Sequence, residues 1–227
     1  MYRSVVVALA CMFSSMCSSK PSYVAQEQRK LENVNVIYSD GPIDLVVIQD
    51  EQSGMVVDAD DVLLDKVITK VDDNALYVSF DGGNVRERLR VVVRTPVVSH
   101  IEMRGSGQLS GEGVFRFEDL NLVVMGPGDV KLDLEGKSLV VHASGPGDIY
   151  LDGSVNKQTV VMQGPGDYHA QDLESAAAEI SIYGPGDAYV QASRQLSAGL
   201  YGPGDLIHSG SPTLTQHITG TGRIIHQ

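Results

Sequence analysis

The sequence holds no tryptophan, four phenylalanines and two cysteines in 227 residues. Both cysteines, Cys11 and Cys17, fall within the first seventeen residues. Beyond them the chain has no disulfide, so its fold must be held by its core. Basic residues are also scarce. Lys and Arg number 17 against 29 Asp and Glu, a formal net charge of −12. This excludes a nucleic-acid partner, because a phosphate backbone is bound by Lys and Arg that replace its counterions. Anionic membrane surfaces are disfavoured by the same charge. No apolar run reaches the roughly eighteen residues of a membrane-spanning helix. At 42% hydrophobic and 20% charged, the chain nevertheless has enough apolar material to fold.

The first segment, 1–17, reads as an export signal. Arg3 supplies the positive start, and Ser4 to Phe13 supply an apolar stretch too short to span a bilayer. Two endings stay open. In a lipoprotein signal Cys17 becomes the lipidated residue, followed by the tether-like Ser18-Ser19-Lys20-Pro21-Ser22, although Met16 is bulky for that cleavage site. The other ending is an ordinary secretory signal. Either places the protein at the outer membrane, the cell surface or the periplasm, with lipid anchorage at Cys17 in the first case. Residues 18–33 are polar and suit a spacer.

What the sequence has in excess is glycine, with 24 residues. Gly-x-Gly begins at Gly105, Gly126, Gly145, Gly164, Gly184, Gly202 and Gly220, in steps of 18–21 residues. Five of these motifs read Gly-Pro-Gly-Asp: Gly126-Pro127-Gly128-Asp129, Gly145-Pro146-Gly147-Asp148, Gly164-Pro165-Gly166-Asp167, Gly184-Pro185-Gly186-Asp187 and Gly202-Pro203-Gly204-Asp205. A fixed period near twenty is the signature of a solenoid. Each motif reads as a tight turn, with proline presetting φ and the second glycine supplying the positive φ of a type II turn. A phosphate-cradling loop is excluded, since no Lys-Ser/Thr follows and no helical pattern opens after it.

The flanks of these turns alternate with period two. Val130, Ile149, Tyr168, Ala188, Leu206 and Ile224 stand four residues after the first glycine, and Val124, Ala143, Met162, Ile182, Leu200 and Ile218 stand two before it. Such alternation predicts two strands per coil, one face in and one out. The expected fold is all-β: a parallel β-helix of about seven coils flattened into two sheets over residues 99–227. Asp172–Glu179 could pass for a helix in isolation, but the period runs through it. Residues 34–98 lack the strict repeat and read as a less regular β half continuing or capping the solenoid. Its strand-like runs are 34–38, 43–48, 54–58, 75–80 and 89–94, with a helical turn near Asp60 to Leu64. The last strand-like run, 223–227, leaves an edge open to pairing with another chain, hence a homo-oligomer through the C-terminal edge.

Both halves together resemble the head GIN domain family of autotransporter adhesins, exported proteins of Gram-negative bacteria, especially Bacteroidetes. The resemblance rests on Asp40-Gly-Pro-Ile-Asp-Leu-Val-Val-Ile48, Val56-Val-Asp-Ala-Asp-Asp-Val-Leu-Leu64, Asn74-Ala-Leu-Tyr-Val-Ser79, Ile101-Glu-Met-Arg-Gly-Ser-Gly107 and the Gly-Pro-Gly-Asp series. It implies a right-handed, pectin-lyase-like β-helix, an adhesive role and no catalytic residues. Proline stands in five motifs where the family more often has serine.

Several constellations could carry chemistry. Asp129, Asp148, Asp167, Asp187 and Asp205 form a ladder, begun by Gln108 and ended by Arg223, that could hold calcium or could bond turn amides. His208 and His226 share a column; two ligands are too few for a metal site. Tyr150, His169 and Tyr189 form one outward aromatic column, and Tyr183 and Tyr201 another. Both could meet a sugar or protein partner, or could stabilise the strand ladder. Arg86, Arg88, Arg90 and Arg94 are expected to pair with Asp58, Asp60 and Asp61. No nucleophile or zinc motif is present, so no catalytic residue and no cofactor are assigned. Three functions follow: a non-enzymatic envelope adhesin or structural module presenting one face to a glycan or protein, a carbohydrate-active β-helix enzyme (polysaccharide lyase or hydrolase), and a periplasmic interaction or sensing domain. Repeats that differ by only three residues in length build no deep cleft, which favours the first.

Overall fold

The computed structural model describes residues 5–6, 24–32, 34–83 and 89–227. Cys11, Cys17, Arg86 and Arg88, and most of the expected signal, lie outside the described residues. The N-terminal strands are β1 (Val5–Val6), β2 (Val24–Arg29), β3 (Val36–Asp40), β4 (Ile43–Gln49) and β5 (Gly54–Asp60), followed by the single helical turn α1 (Asp61–Leu64). Then come β6 (Val67–Asp72), β7 (Ala75–Phe80), β8 (Leu89–Thr95) and β9 (His100–Met103). The repeats supply β10 (Leu109–Val124), β11 (Val130–Ala143), β12 (Ile149–Met162), β13 (Tyr168–Ile182) and β14 (Ala188–Leu200). The chain closes on β15 (Leu206–Ser209), β16 (Thr213–Ile218) and β17 (Ile224–His226).

The repeats form a parallel β-solenoid of about seven turns. Val130 pairs with Ile149, Ile149 with Tyr168, Tyr168 with Ala188, Ala188 with Leu206 and Leu206 with Ile224. The glycine spacing and the strand register are therefore the same number. Unequal repeats are absorbed away from the glycine corners, by slips between Tyr150 and Gly153 and between Ala170 and Glu174.

Strand count per coil departs from expectation. From β10 to β14 each coil is one strand of 13–16 residues rather than two. In β11 the buried residues are Val130, Leu132 and Leu134, then Leu139, Val141 and Ala143. The in–out phase switches at 135–138 as the chain turns, yet the ladder hydrogen bonds carry on around the bend. Only the last coil splits, at Gly210, which holds a φ of +92° that a side chain rarely tolerates. The helix-like stretch 172–179 lies inside β13. There Leu173, Ala178 and Ile180 fill the core, and ladder pairing on both sides outweighs the modest preference of alanine for helix.

The glycine corners also differ from expectation. Positive φ occurs at Gly41, Gly113, Gly153 and Gly210 and at no glycine of the Gly-Pro-Gly-Asp motifs. These are not type II turns. The alternation continues through them, with glycines buried and prolines exposed. Their constraint is closeness. A Cβ on Gly166 would sit less than 3.0 Å from the carbonyl oxygen of Gly147, and one on Gly147 equally close to that of Gly128. Identical corners stack backbone on backbone, which leaves no room for a side chain pointing along the axis. Corner amides bond the preceding coil, as in Gln163 N to Ala143 O at 2.7 Å and Tyr183 N to Met162 O at 2.8 Å. Proline, lacking an N–H, fits the outward position without losing such a bond.

The parallel stack runs on into the N-terminal half. β9, β3 and β7 continue one flank of β10, while β4 and β8 continue the other. Antiparallel strands then end it, β6 on β7, β5 on β8 and β2 on β5. β2 lies in the segment expected as a polar spacer. Its polar residues are held in place: Arg29 pairs with the buried Glu27 at 2.9 Å and donates to Val67 O at 2.7 Å and Thr69 Oγ1 at 2.9 Å. A strand anchored by charge-assisted hydrogen bonds carries no apolar signature. At the other end every residue of β16 is exposed.

Candidate functional site

The outward columns become two ring stacks. Tyr150 and His169 lie with centroids 4.6 Å apart and planes 9° from parallel, and His169 and Tyr189 at 5.0 Å and 14°. Parallel strands in register place equivalent side chains one strand spacing apart, about 4.8 Å, close to ring-stacking distance. Tyr183 and Tyr201 stack at 4.6 Å and 11°, with His217 tilted beside Tyr201 at 5.9 Å. Because the rings lie face against face, a partner meets their edges, hydroxyls and ring nitrogens rather than open faces.

The aspartate ladder runs beside the first stack. Each Oδ1 accepts the backbone N–H of the equivalent residue one coil on: Asp148 N to Asp129 at 3.0 Å, Asp167 N to Asp148 at 2.9 Å, Asp187 N to Asp167 at 2.8 Å and Asp205 N to Asp187 at 2.7 Å. Arg223 closes the row, its backbone N–H and guanidinium both donating to Asp205. That hydrogen bond from the Arg223 side chain holds the Asp205 carboxyl below the usual carboxylate range. The row begins one coil earlier than the sequence suggested, since Asp44 Oδ1 accepts Gln108 N at 3.1 Å. Gly41-Pro42-Ile43-Asp44 is a further copy of the motif that a search for Gly-Pro-x-Asp would have found. Each carboxylate keeps Oδ2 for other contacts, and Tyr150 reaches that of Asp148 at 3.4 Å. Loss of solvent, and then the Asp148 charge, push the Tyr150 phenol up; Tyr189 is raised in the same way beside Asp187.

The remaining candidates are placed separately. His208 and His226 meet edge to face, centroids 5.0 Å apart, with His226 Nε2 2.8 Å from Gly210 O. Burial and then the neighbouring imidazole hold His208 below the ordinary histidine pKa. Among the described residues no three His, Cys, Asp or Glu are grouped to hold a metal ion. Of the arginines expected to pair with Asp58, Asp60 and Asp61, Arg90 bonds Glu112 at 3.3 Å and Arg94 bonds Asp50 at 3.4 Å, while Arg86 and Arg88 lie outside the described residues. β4 pairs with both β8 and β10 and so brings Glu112 near the arginines of β8, a long-range placement invisible in sequence.

Sequence reasoning missed one cluster. Tyr38 on β3 and Tyr77 on β7 stack at 4.8 Å and 11°, with His100 tilted against Tyr38 at 5.4 Å. Register also sets Glu102 beside Tyr38, and Glu102 pairs with Arg104. A cavity of about 450 Å³ opens along this cluster. Its only trace in sequence is that Val-Ile-Tyr38 and Ala-Leu-Tyr77 put tyrosine at the same phase of two strands.

The comparisons agree with this architecture. The family described as "Putative auto-transporter adhesin, head GIN domain" matches residues 33–212. The chain belongs to that family. Among solved structures, a putative adhesin from Bacteroides fragilis superposes with a TM-score of 0.86 at 24% identity, covering 90% of this chain and 97% of that one. A putative lipid binding protein from Parabacteroides distasonis gives 0.71 at 21% identity, covering 89% and 96%. A putative adhesin from Parabacteroides merdae gives 0.66 at 18%, covering 90% and 96%. At these identities the likeness extends to the fold of the head GIN solenoid. No curated protein matches the sequence. Among the described residues of this head GIN protein, no helix is long and apolar enough to cross a membrane.

Proposed function

We propose that this head GIN protein is an exported, non-enzymatic adhesin-like module, anchored by lipid at Cys17 or secreted, that presents one outer face of its solenoid to a glycan or protein partner. The observation that carries this reading is the Tyr150–His169–Tyr189 stack running beside the aspartate ladder. Together they form a straight row of hydroxyls, ring edges and carboxylates, repeated at the strand spacing. A repeating row suits a repeating or extended ligand. The ladder acids each spend one oxygen on a backbone amide, which favours a structural and contact role over acid–base chemistry. Family membership supports the adhesive class.

A glycan-array screen run beside a turnover assay on polyuronates tests this. Binding without cleavage is expected, and Tyr150→Ala with Tyr189→Ala should weaken it about tenfold. Cleavage of any polymer would instead support the enzyme reading. We assign the ladder no calcium, so equal melting temperatures in calcium chloride and in chelator are expected; a rise with calcium overturns this. We also propose self-association through the C-terminal edge, where β16 is exposed throughout and carries no charged residue. Scattering that finds a monomer at all concentrations removes that part.

A further inference from the structure

We infer that the cavity beside Tyr38 and Tyr77 is a binding pocket for one neutral saccharide unit. This deepens the adhesin-like reading by naming a partner class, and it places the pocket in the N-terminal half, outside the Tyr150–Tyr189 row. The pocket follows from register. β7, β3 and β9 lie side by side, so Tyr77, Tyr38 and Glu102 form one outward column, and Ser79, Asp40 and Arg104 line the adjacent one. The 450 Å³ between them is of the size that takes a small ligand.

The chemistry of the walls narrows the ligand. On one side Tyr38 and Tyr77, stacked face to face and with Tyr77 43% exposed, present ring edges and hydroxyls to a ligand. Two residues further along the same outward face, donors and acceptors alternate: the Ser79 hydroxyl, the Asp40 carboxylate and the Arg104 guanidinium. Glu102, largely buried at 8% exposure, is already compensated by Arg104 and lies 3.6 Å from His100. An anionic ligand would meet Asp40 and Glu102. A cationic ligand would meet Arg104. A purely apolar ligand would leave these polar groups desolvated and unpaired. A polyhydroxylated neutral ring satisfies acceptors and donors at once and packs against the tyrosine edges.

The test uses the full chain and a panel of glucose, galactose, mannose, N-acetylglucosamine and their β-linked disaccharides, with glucuronic acid and glucosamine as charged controls. Saturation-transfer NMR and calorimetry read binding, and amide shifts read its place. At least one neutral sugar is expected to bind and to perturb residues 38–40, 77–79 and 102–104. Tyr77→Ala should weaken that binding about tenfold, the equivalent of one good aromatic contact. Arg104→Ala unpairs Glu102, so Arg104→Lys, with unchanged circular dichroism, serves as the folded control and should also weaken binding. No saccharide binding, unaltered affinity in both pocket variants, or a tenfold preference for a charged control overturns the assignment. Partner binding that depends on Tyr150 and Tyr189 alone would overturn the pocket while leaving the adhesin-like reading standing.

Discussion

Gly166→Ala is expected to cost about 3 kcal/mol and to lower the melting temperature by roughly 10 °C, whereas Gly54→Ala should change stability by less than about 0.5 kcal/mol. The two substitutions add the same methyl group. At Gly54 nothing lies within 4 Å of the new Cβ, while at Gly166 it would strike the backbone of Gly147. A flexible side chain could give way; a hydrogen-bonded corner cannot. The Gly166 carbonyl in turn supports Gly186, so pushing one coil outward disturbs the next. In a solenoid each coil touches only its neighbours, so damage in the middle divides the stack. Hydrogen exchange should therefore show faster opening in β12 and β13 than in β4 and β8. Equal melting of the two variants would remove the close-approach explanation of the glycines.

The second large effect is expected at Tyr168, the largest fully buried side chain among the described residues. Its hydroxyl donates to Gln158 Oε1 at 2.9 Å, Gln158 Nε2 donates to Ser175 Oγ at 3.1 Å, and Ser175 Oγ donates to Gln191 O at 2.6 Å. This chain of bonds crosses the core from β13 to β12 and back, ending on a backbone carbonyl of β14. Tyr168→Ala opens a cavity and leaves Gln158 Oε1 without its donor, at a cost of about 5 kcal/mol. Tyr168→Phe keeps the volume and loses only the donor, for about 1–3 kcal/mol. Burial pushes the Tyr168 phenol far above the usual tyrosine range. The unfolded chain ionises there near pH ~10 while the folded chain does not. The stabilising contribution is therefore whole below pH ~10 and falls as pH rises past it, at about 1.4 kcal/mol per pH unit. Denaturant midpoints between pH 9 and pH 11 should drop more steeply for the wild type than for Tyr168→Phe. Parallel slopes would contradict a buried, un-ionised hydroxyl.

Periodicity was the legible part of the candidate site. Tyr150, His169 and Tyr189 each stand five residues after a motif glycine, and a constant step between motifs makes such residues neighbours. The Asp column was legible for the same reason. Tyr38 and Tyr77 were not, because 39 residues separate them and no repeated motif counts the distance; β3–β7 pairing alone joins them. β2 was hidden for a different reason, since its strand is fastened by Arg29 and Glu27 rather than by apolar alternation. The identity of each turn was misread because Pro-Gly favours a type II turn in an isolated chain. Here the corner amides are satisfied by the coil before, so no local bond is needed.

By itself the sequence determined the β-solenoid, its coil length and its inward columns, because a period-two pattern inside a fixed longer period admits one stacking. The tertiary structure alone decided how near the corners approach, which way the aromatic rings face, how the N-terminal end is closed and where a pocket opens. Those depend on distances between residues far apart in the chain, and side-chain alternation along a strand carries no information about them.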